Sequence, residues 1–231
     1  MCGRFTLTST PESLAERFGL DAPPSLAPRY NIAPGQEVLA IRAHGEGRRA
    51  ALLRWGFVPA WSDRAAASAG PPLINARAET AAQRPAFRDA FRARRCIVPA
   101  SGFYEWANRG DFRQPYWIAP SDGAPWGIAG LWERWTAPDG APLESCALLT
   151  TAANARVAEL HDRMPAILAP DAYAIWLDPA RDAAALAGLL APLAFDALLV
   201  RPVGTRVNRV ENDDPALLDA VPEPPRQPSL F

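Results

Sequence analysis

The second residue of the chain could be a chemical reagent in its own right. The sequence opens MCGRF, so removal of the initiator Met1 would leave Cys2 as the first residue, with its α-amine beside its thiol. A free α-amine has a pKa of about 8, roughly two units below that of a lysine side chain, so part of it is neutral and nucleophilic at pH 7. Such an amine forms an imine with an aldehyde, and the thiol can then close onto the imine carbon to give a five-membered thiazolidine. The alternative is that Cys2 is simply a small residue at the second position.

The absence of lysine from the sequence makes this amine more significant. All 24 cationic side chains are arginine, a pattern that the codon bias of an Ala-, Arg-, Gly- and Pro-rich chain would also produce. Arginine stays protonated and is a poor amine nucleophile. The α-amino group is therefore the one primary amine that the sequence offers for Schiff-base chemistry.

Two residues are candidates for proton transfer. His161, in LHDRMPAIL, is one of two histidines and the leading general acid–base candidate, although a histidine at a helix end is more often a cap or a surface group. Glu105, in SGFYEWA, lies between Tyr104 and Trp106, where partial burial would raise the carboxyl pKa and keep it protonated part of the time. The alternative for Glu105 is an ordinary exposed strand residue.

Other residues are suited to binding. Asn75 and Arg77, in PLINARAE, could present an amide and a guanidinium together, which suits a sugar hydroxyl and a phosphate. A salt bridge from Arg77 to Glu79 is the alternative. Trp61, at the edge of a long loop, could stack on an exposed base, whereas Trp55 is expected in the core.

The strand GRFTLTS (3–9) directly follows Cys2 and must position it. Its alternation places Cys2 and Arg4 on one face, where Arg4 would favour the thiolate and could hold an anion. Ser9 and Glu12 then form a capping-box pattern, which predicts that a helix begins at Ser9.

The remaining elements follow from alternation, helical periodicity and Gly/Pro breaks, and they indicate one mixed α/β domain that is mainly antiparallel. This domain is expected over residues 1–211, followed by a Pro-rich tail (212–231) that should be frayed. Residues 21–36 and 58–72 are predicted loops. The predicted strands are 37–43, 51–57, 96–99, 102–107, 115–119, 126–135, 144–151, MPAIL and ALLVRPV, and the predicted helices include 86–94 and a segment from Asn154 to about His161.

Composition and charge exclude several classes of protein. The chain has 231 residues, of which 49% are hydrophobic, so it can bury a substantial core. A net charge of −1 provides no global basic field for a polyanion. Three scattered cysteines and two histidines fit neither a disulfide framework nor a zinc site, so no metal or cofactor is expected. Since no signal or transmembrane segment is recognised, a cytoplasmic location is expected. The protein is also expected to be a monomer.

Seven stretches of the sequence, in one order, resemble those of a known family. They are MCGRF, RYNIAPG, RWGFVPAW, PLINARAET, RCIVPASGFYEW, TTAAN and HDRMPAIL. Together they are similar to the SRAP (SOS response-associated peptidase) family of abasic-site processing proteins, over roughly residues 2–210. The resemblance implies mainly antiparallel strands in a curved, barrel-like sheet with several flanking helices. It also implies a DNA damage response protein that binds single-stranded DNA at abasic sites and is nucleoid-associated when DNA-bound.

The resemblance also implies a role for each candidate residue. Cys2 would form a thiazolidine crosslink with the ring-opened deoxyribose and so protect the abasic site. Asn75 would position the amine and the sugar, Glu105 would shuttle protons, and His161 would assist imine chemistry and crosslink reversal. The implied DNA contacts are to phosphates from Arg4, Arg77 and Arg163, and to bases from Pro34 and Trp61.

Two other functions remain open from the sequence. The same catalytic candidates would suit an N-terminal-nucleophile cysteine peptidase that acts on itself or on small peptides, and the family name implies self-release of Met1. A non-catalytic single-strand binding module, using Trp61 and the arginines, is the third hypothesis. It predicts that Cys2→Ala is tolerated, which covalent capture does not.

Overall fold

Short strands dominate the part of the chain that the structure, a computed structural model, describes: residues 2–62, 72–192 and 198–223. The strands are β1 Phe5–Leu7, β2 Arg29–Ile32, β3 Glu37–His44, β4 Gly47–Trp55, β5 Asn75–Arg77, β6 Arg95–Ala100, β7 Gly102–Asn108, β8 Arg113–Pro120, β9 Trp126–Thr136, β10 Pro142–Ala152, β11 Arg163–Pro165, β12 Ile167–Leu168 and β13 Leu198–Pro202. The α-helices are α1 Pro11–Phe18, α2 Ala78–Ala81, α3 Arg88–Ala93, α4 Ala155–Ala158, α5 Tyr173–Leu177 and α6 Ala183–Ala187.

Five of these strands close into a barrel. They follow one another in the order β10, β4, β3, β6 and β9, and β9 pairs again with β10 to complete the ring. All of these pairings are antiparallel except β4 with β10, which is parallel. Closure leaves no unpaired strand edge in the ring. The predicted mixed α+β fold, mainly antiparallel and with a barrel-like core, is confirmed.

Most of the barrel strands are buried over much of their length, and apolar side chains fill the core. Ile41, Leu53, Ile97 and Leu148, from four different barrel strands, are completely buried. Each such side chain stabilises the fold by about 1.5–3 kcal/mol relative to an exposed one. Trp55 is also fully buried, as predicted, and its indole N–H donates to the Ile74 carbonyl at 2.9 Å.

A second, antiparallel sheet lies beside the barrel and carries the chain's first strand. Its order is β13, β8, β7, β1 and β2, so β1 is hydrogen-bonded to β7 on one side and to β2 on the other. Phe5 of β1 lies opposite both Phe103 and Ile32. This sheet therefore brings the residues around Cys2 against the strand that contains Glu105.

The first helix begins one residue later than the capping-box pattern predicts. The N-cap is Thr10, whose Oγ1 accepts a hydrogen bond from the Ser13 N–H at 3.2 Å. Pro11 occupies the first helical position, where its missing N–H costs nothing, and this favours the residue before it as the cap. Ser9 instead contacts the Ser101 hydroxyl at 2.9 Å.

Two segments expected to be irregular are built into the fold. The predicted loop 21–36 contains strand β2, and the tail expected to fray from residue 212 contacts the rest of the fold as far as residue 223, with Asp213 bound to β2 and Glu223 to Tyr116. Leu217 in this tail is buried. The tail is ordered because its polar groups find backbone partners on β2, a long-range complementarity that proline content does not reveal. Most of the predicted loop 58–72, together with residues 224–231, lies outside the described residues.

No helix within the described ranges has both the length and the apolar character needed to cross a membrane.

Candidate active site

Cys2 lies buried at the entrance to β1. Its carbonyl accepts a hydrogen bond from the Asn75 side-chain amide at 2.8 Å, and its Sγ lies 3.9 Å from the Arg4 carbonyl oxygen. Burial raises the pKa of the Cys2 thiol well above its ordinary value, and the nearby Glu105 carboxyl raises it further. The pKa shift is therefore opposite to the one expected from Arg4, because burial of the thiol is its largest cause. The thiol keeps its proton until a reaction removes it.

Asn75 reaches Cys2 through the parallel pairing of β5 with β10, where Leu148 lies opposite Asn75. The amide nitrogen is used by the Cys2 carbonyl. The amide oxygen, Oδ1, is buried and accepts no hydrogen bond within the described residues. An unsatisfied buried acceptor is costly, so this oxygen is suited to receiving an N–H or O–H from a group that enters the site.

Glu105 is buried in β7, with an exposed fraction of 3%, which excludes the ordinary exposed residue. Burial raises the pKa of its carboxyl, while the positive charge of His161 lowers it. The predicted direction of this shift is confirmed. Because Glu105 is electrostatically coupled to both Cys2 and His161, these three side chains share one local environment.

The raised pKa of Glu105 predicts a signed effect of pH on stability. Above the unfolded-state pKa of about 4.3, the unfolded chain has released a proton that the folded state still holds, so the free energy of unfolding falls as pH rises through the folded-state pKa. Glu105→Gln cannot ionise. We expect it to raise Tm at pH 7 relative to the unsubstituted protein, with the difference shrinking towards pH 4, as measured by thermal unfolding at a series of pH values. A Tm difference that does not depend on pH would contradict this.

His161 follows the short helix α4, whose cap is Asn154 as predicted, with its Oδ1 accepting from the Val157 N–H at 2.9 Å. The Arg163 N–H donates to His161 Nδ1 at 2.9 Å. In the neutral imidazole the proton is then carried by Nε2. Asp162 Oδ1 also lies 2.8 Å from Nδ1, a contact that becomes an ion pair only when the ring is protonated.

The predicted phosphate-contacting arginines have different surroundings. Arg163 makes a bidentate ion pair with Glu79, at 2.6 and 2.9 Å, and also donates to the Thr150 carbonyl. Hydrogen bonding from Arg163 lowers the pKa of the Glu79 carboxyl. Glu79 therefore pairs with Arg163 rather than with Arg77, which is exposed. Arg4 is half-buried and bonded within the protein, so Arg77 is the most accessible cation of the three.

The two predicted base-contacting residues lie at the surface of the fold. Trp61 is 68% exposed, which is unusual for the largest apolar side chain and suits stacking on a base. Pro34 is half-buried in the turn completed by Gly35, whose φ of 88° is in the left-handed region. Neither residue is hydrogen-bonded or ring-stacked to the Cys2 cluster within the described ranges.

The structure thus gathers Cys2, Asn75, Glu105 and His161 into one site. It combines a thiol that holds its proton, an unsatisfied amide oxygen, a carboxyl of raised pKa and an imidazole. Among the described residues, no three His, Cys, Asp or Glu side chains are placed to hold a metal ion. This set can deliver and accept protons around an electrophilic carbon.

Sequence reasoning missed one residue next to this site, Asn31. It is fully buried and accepts a hydrogen bond from the Arg4 guanidinium at 2.7 Å. Its other partners lie more than 170 positions away along the chain, at residues 207–213. No local pattern in RYNIAPG could have shown those contacts.

Comparisons with known proteins point to one family. The family model described as SOS response associated peptidase (SRAP) matches residues 1–210. The abasic site processing protein YoaM of Bacillus subtilis is 39% identical over 95% of this chain and 98% of its own. The abasic site processing protein YedK of Escherichia coli is 37% identical over 77% of this chain and 79% of its own. A crystal structure of a Bacteroides thetaiotaomicron protein superposes with a TM-score of 0.86 at 25% identity, covering 95% of this chain and 100% of that one. The chain therefore belongs to the SOS response associated peptidase (SRAP) family.

Proposed function

We propose that this protein processes abasic sites in single-stranded DNA by covalent capture. Once Met1 is removed, the amine and thiol of Cys2 react with the aldehyde of the ring-opened deoxyribose to form a thiazolidine crosslink, which shields the lesion. The observation that carries the proposal is the convergence on Cys2 of the Asn75 amide and the buried Glu105 carboxyl. The names of the relatives, abasic site processing proteins, support the substrate class.

The reaction balances without an added reagent. The amine attacks the aldehyde carbon to give a carbinolamine, which loses water to form an imine. The thiol then adds to the imine carbon and its proton ends on the nitrogen, so aldehyde plus aminothiol gives thiazolidine plus water. A carboxyl of raised pKa suits the dehydration, because Glu105 can donate a proton to the departing hydroxyl. Asn75 Oδ1 is suited to accepting an amine N–H and so orienting the lone pair.

His161 and the raised thiol pKa support the later steps. A thiol that stays protonated does not add to other electrophiles before the imine exists. When the ring closes, that proton must move, and His161 is close enough to Glu105 to affect its pKa and to share proton transfer. The same groups, acting in reverse, would open the ring and release the crosslink.

Non-covalent contacts with DNA are expected to be modest. The net charge is −1, and two of the three candidate phosphate-binding arginines, Arg4 and Arg163, are engaged within the protein. Arg77 and Trp61 remain available for a phosphate and a base. Since few phosphates are neutralised, non-covalent binding should be weak, and the covalent bond would supply the persistence.

The test is direct capture of the lesion. We expect the protein lacking Met1, mixed with a single-stranded oligonucleotide bearing one abasic site, to give an adduct that survives denaturing electrophoresis without borohydride. Its intact mass should equal protein plus oligonucleotide minus one water, with the linkage at Cys2. The matched control is the same oligonucleotide with the abasic aldehyde reduced to an alcohol, which should give no adduct.

Three outcomes would overturn this proposal: no adduct, a linkage at another residue, or an equal yield when Met1 is retained. Hydrolysis of an acyl-peptide substrate without any DNA adduct would assign the same residues to the peptidase reaction instead.

A further inference from the structure

The C-terminal part of the described chain forms a strap across the second sheet. We use the name strap for residues 203–219, which contain two short 3-10 turns, Thr205–Asn208 and Pro215–Leu218. Three of its apolar side chains are buried, namely Val203, Val207 and Leu217, and they pack with Tyr104 in a cluster separate from the main core. The strap is therefore an integral layer of the fold beside Glu105.

Asn31 joins the strap to the N-terminal strand. Its side-chain amide donates to the carbonyls of Val207, Arg209 and Asn212, at 3.3, 3.0 and 2.7 Å. Its Oδ1 accepts from the guanidinium of Arg4 at 2.7 Å, and that guanidinium also donates to the Val207 carbonyl at 2.8 Å. The fully buried Asn31 amide thus binds three strap carbonyls and also the guanidinium of Arg4, which lies two residues from Cys2 in the sequence.

Asp213 binds the strap to β2 at a second point. Its Oδ1 accepts the backbone N–H groups of Tyr30 and Asn31, at 2.5 and 3.0 Å, and its Oδ2 pairs with the Arg29 guanidinium. Charge-assisted bonds of this kind to backbone N–H groups are among the stronger contacts that a carboxylate makes. Asp213 also lies beyond residue 210, where the family match ends.

The residues on both sides of Glu105 are bonded to β2 and to the strap, respectively. The Tyr104 hydroxyl donates to the Tyr30 carbonyl at 2.8 Å, and the Trp106 indole N–H donates to Asn208 Oδ1 at 2.8 Å. The Tyr104 N–H donates to the Arg4 carbonyl, the oxygen nearest the Cys2 thiol. A displacement of the strap would therefore reach the backbone that carries the thiol and the backbone that carries the carboxyl.

We propose that Asn31 and Asp213 are positioning residues for the reaction at Cys2. They clamp the strap to β2 and so hold the Cys2 thiol in the correct position relative to the Glu105 carboxyl. The inference deepens the proposed function and rests on it. Small displacements of reacting groups have large effects on rate, since a shift of about 1 Å can cost about 100-fold. The clamp acts through Arg4, Tyr104 and Trp106 and touches no substrate.

The test compares two neighbouring aspartates on the strap. We expect Asp213→Ala to lower the thiazolidine-forming rate at saturating abasic oligonucleotide by about tenfold, while the half-saturating DNA concentration changes less than about twofold. Asp213→Asn should recover most of the rate, because its Oδ1 still accepts both backbone N–H groups. Asp214→Ala is the matched control, since Asp214 pairs with Arg206 inside the strap, and it should keep the full rate.

A milder variant keeps the proposal testable if Asp213→Ala does not fold. Asn208 is exposed, and Asn208→Ala removes only the bond to Trp106, so a rate decrease of about threefold is expected with Tm nearly unchanged. All rates are measured well below the Tm of each variant. Equal saturating rates for the unsubstituted protein, Asp213→Ala and Asn208→Ala would overturn the positioning role.

A small aldehyde separates this inference from the proposed function. Glyoxylate should convert the terminal Cys2 to a thiazolidine, detected by intact mass, and Asp213→Ala should slow this reaction as well. If Asp213→Ala slows the glyoxylate reaction but abasic DNA is not captured, the proposed function fails while the clamp stands. If DNA is captured equally by every variant, the clamp fails while the proposed function stands.

Discussion

Replacing Cys2 by alanine is expected to abolish the adduct that survives denaturation, a loss of at least about 100-fold. The variant retains a terminal amine and can still form an imine with the abasic aldehyde. Without the sulfur no ring can close, and the imine returns to amine and aldehyde by hydrolysis. Borohydride added during the reaction should trap that imine and recover much of the adduct, because reduction replaces ring closure as the irreversible step.

The measurement is denaturing electrophoresis with and without borohydride, on protein shown by mass to lack Met1. The matched control is Cys146→Ala, a buried cysteine of the barrel strand β10, which should crosslink like the unsubstituted protein. A borohydride-independent adduct with Cys2→Ala would exclude the thiazolidine and favour either a different linkage or a simple binding module.

Replacing Glu105 by glutamine is expected to slow crosslinking by at least about 100-fold at saturating DNA, the usual contribution of a general acid. Glutamine has the same shape but cannot donate a proton to the departing hydroxyl. The half-saturating DNA concentration should change little, because Glu105 is buried and offers no positive charge to a phosphate. In the unsubstituted protein the rate should decline at alkaline pH as Glu105 ionises. This decline should be absent from Glu105→Gln, because the carboxyl with the raised pKa has been removed.

This effect is measured by single-turnover crosslinking over a range of DNA concentrations and pH values. Glu133→Gln is a suitable control: Glu133 is also a buried glutamate, but it pairs with Arg94 and contacts none of the Cys2 cluster. A loss of DNA binding with an unchanged saturating rate would assign Glu105 to structure rather than to proton transfer.

The strands that could be predicted are those in which local pattern and tertiary packing agree. Strands β6 to β10 lie close to their predicted bounds, because their runs of apolar residues are buried in the barrel or the second sheet. The errors occur where the deciding interaction is not local. Strand β2 was expected to be a loop because its hydrogen-bond partners, β1 and the residues around Asp213, are distant in sequence.

The candidate site divides in the same way. The reactivity proposed for Cys2 and the proton transfer proposed for Glu105 and His161 could be predicted from residue type. The protonation of Cys2 and Glu105 could not be predicted in this way, because burial raises the pKa of both groups, that of the thiol although Arg4 is two residues away. The pairing of Glu79 with Arg163 instead of the nearer Arg77 is likewise a consequence of strand placement.

The amino-acid sequence by itself determined the groups that the proposed reaction uses: a cysteine directly after Met1, no lysine amine, and the few side chains able to move protons. The tertiary structure alone decided that these groups meet. Asn75 reaches Cys2 through a parallel pairing with β10, and the strap reaches β2 from about 180 positions along the chain. Residue chemistry is local, whereas burial, hydrogen-bond satisfaction and relative position depend on contacts between distant segments, which exist only once the barrel and the second sheet have formed.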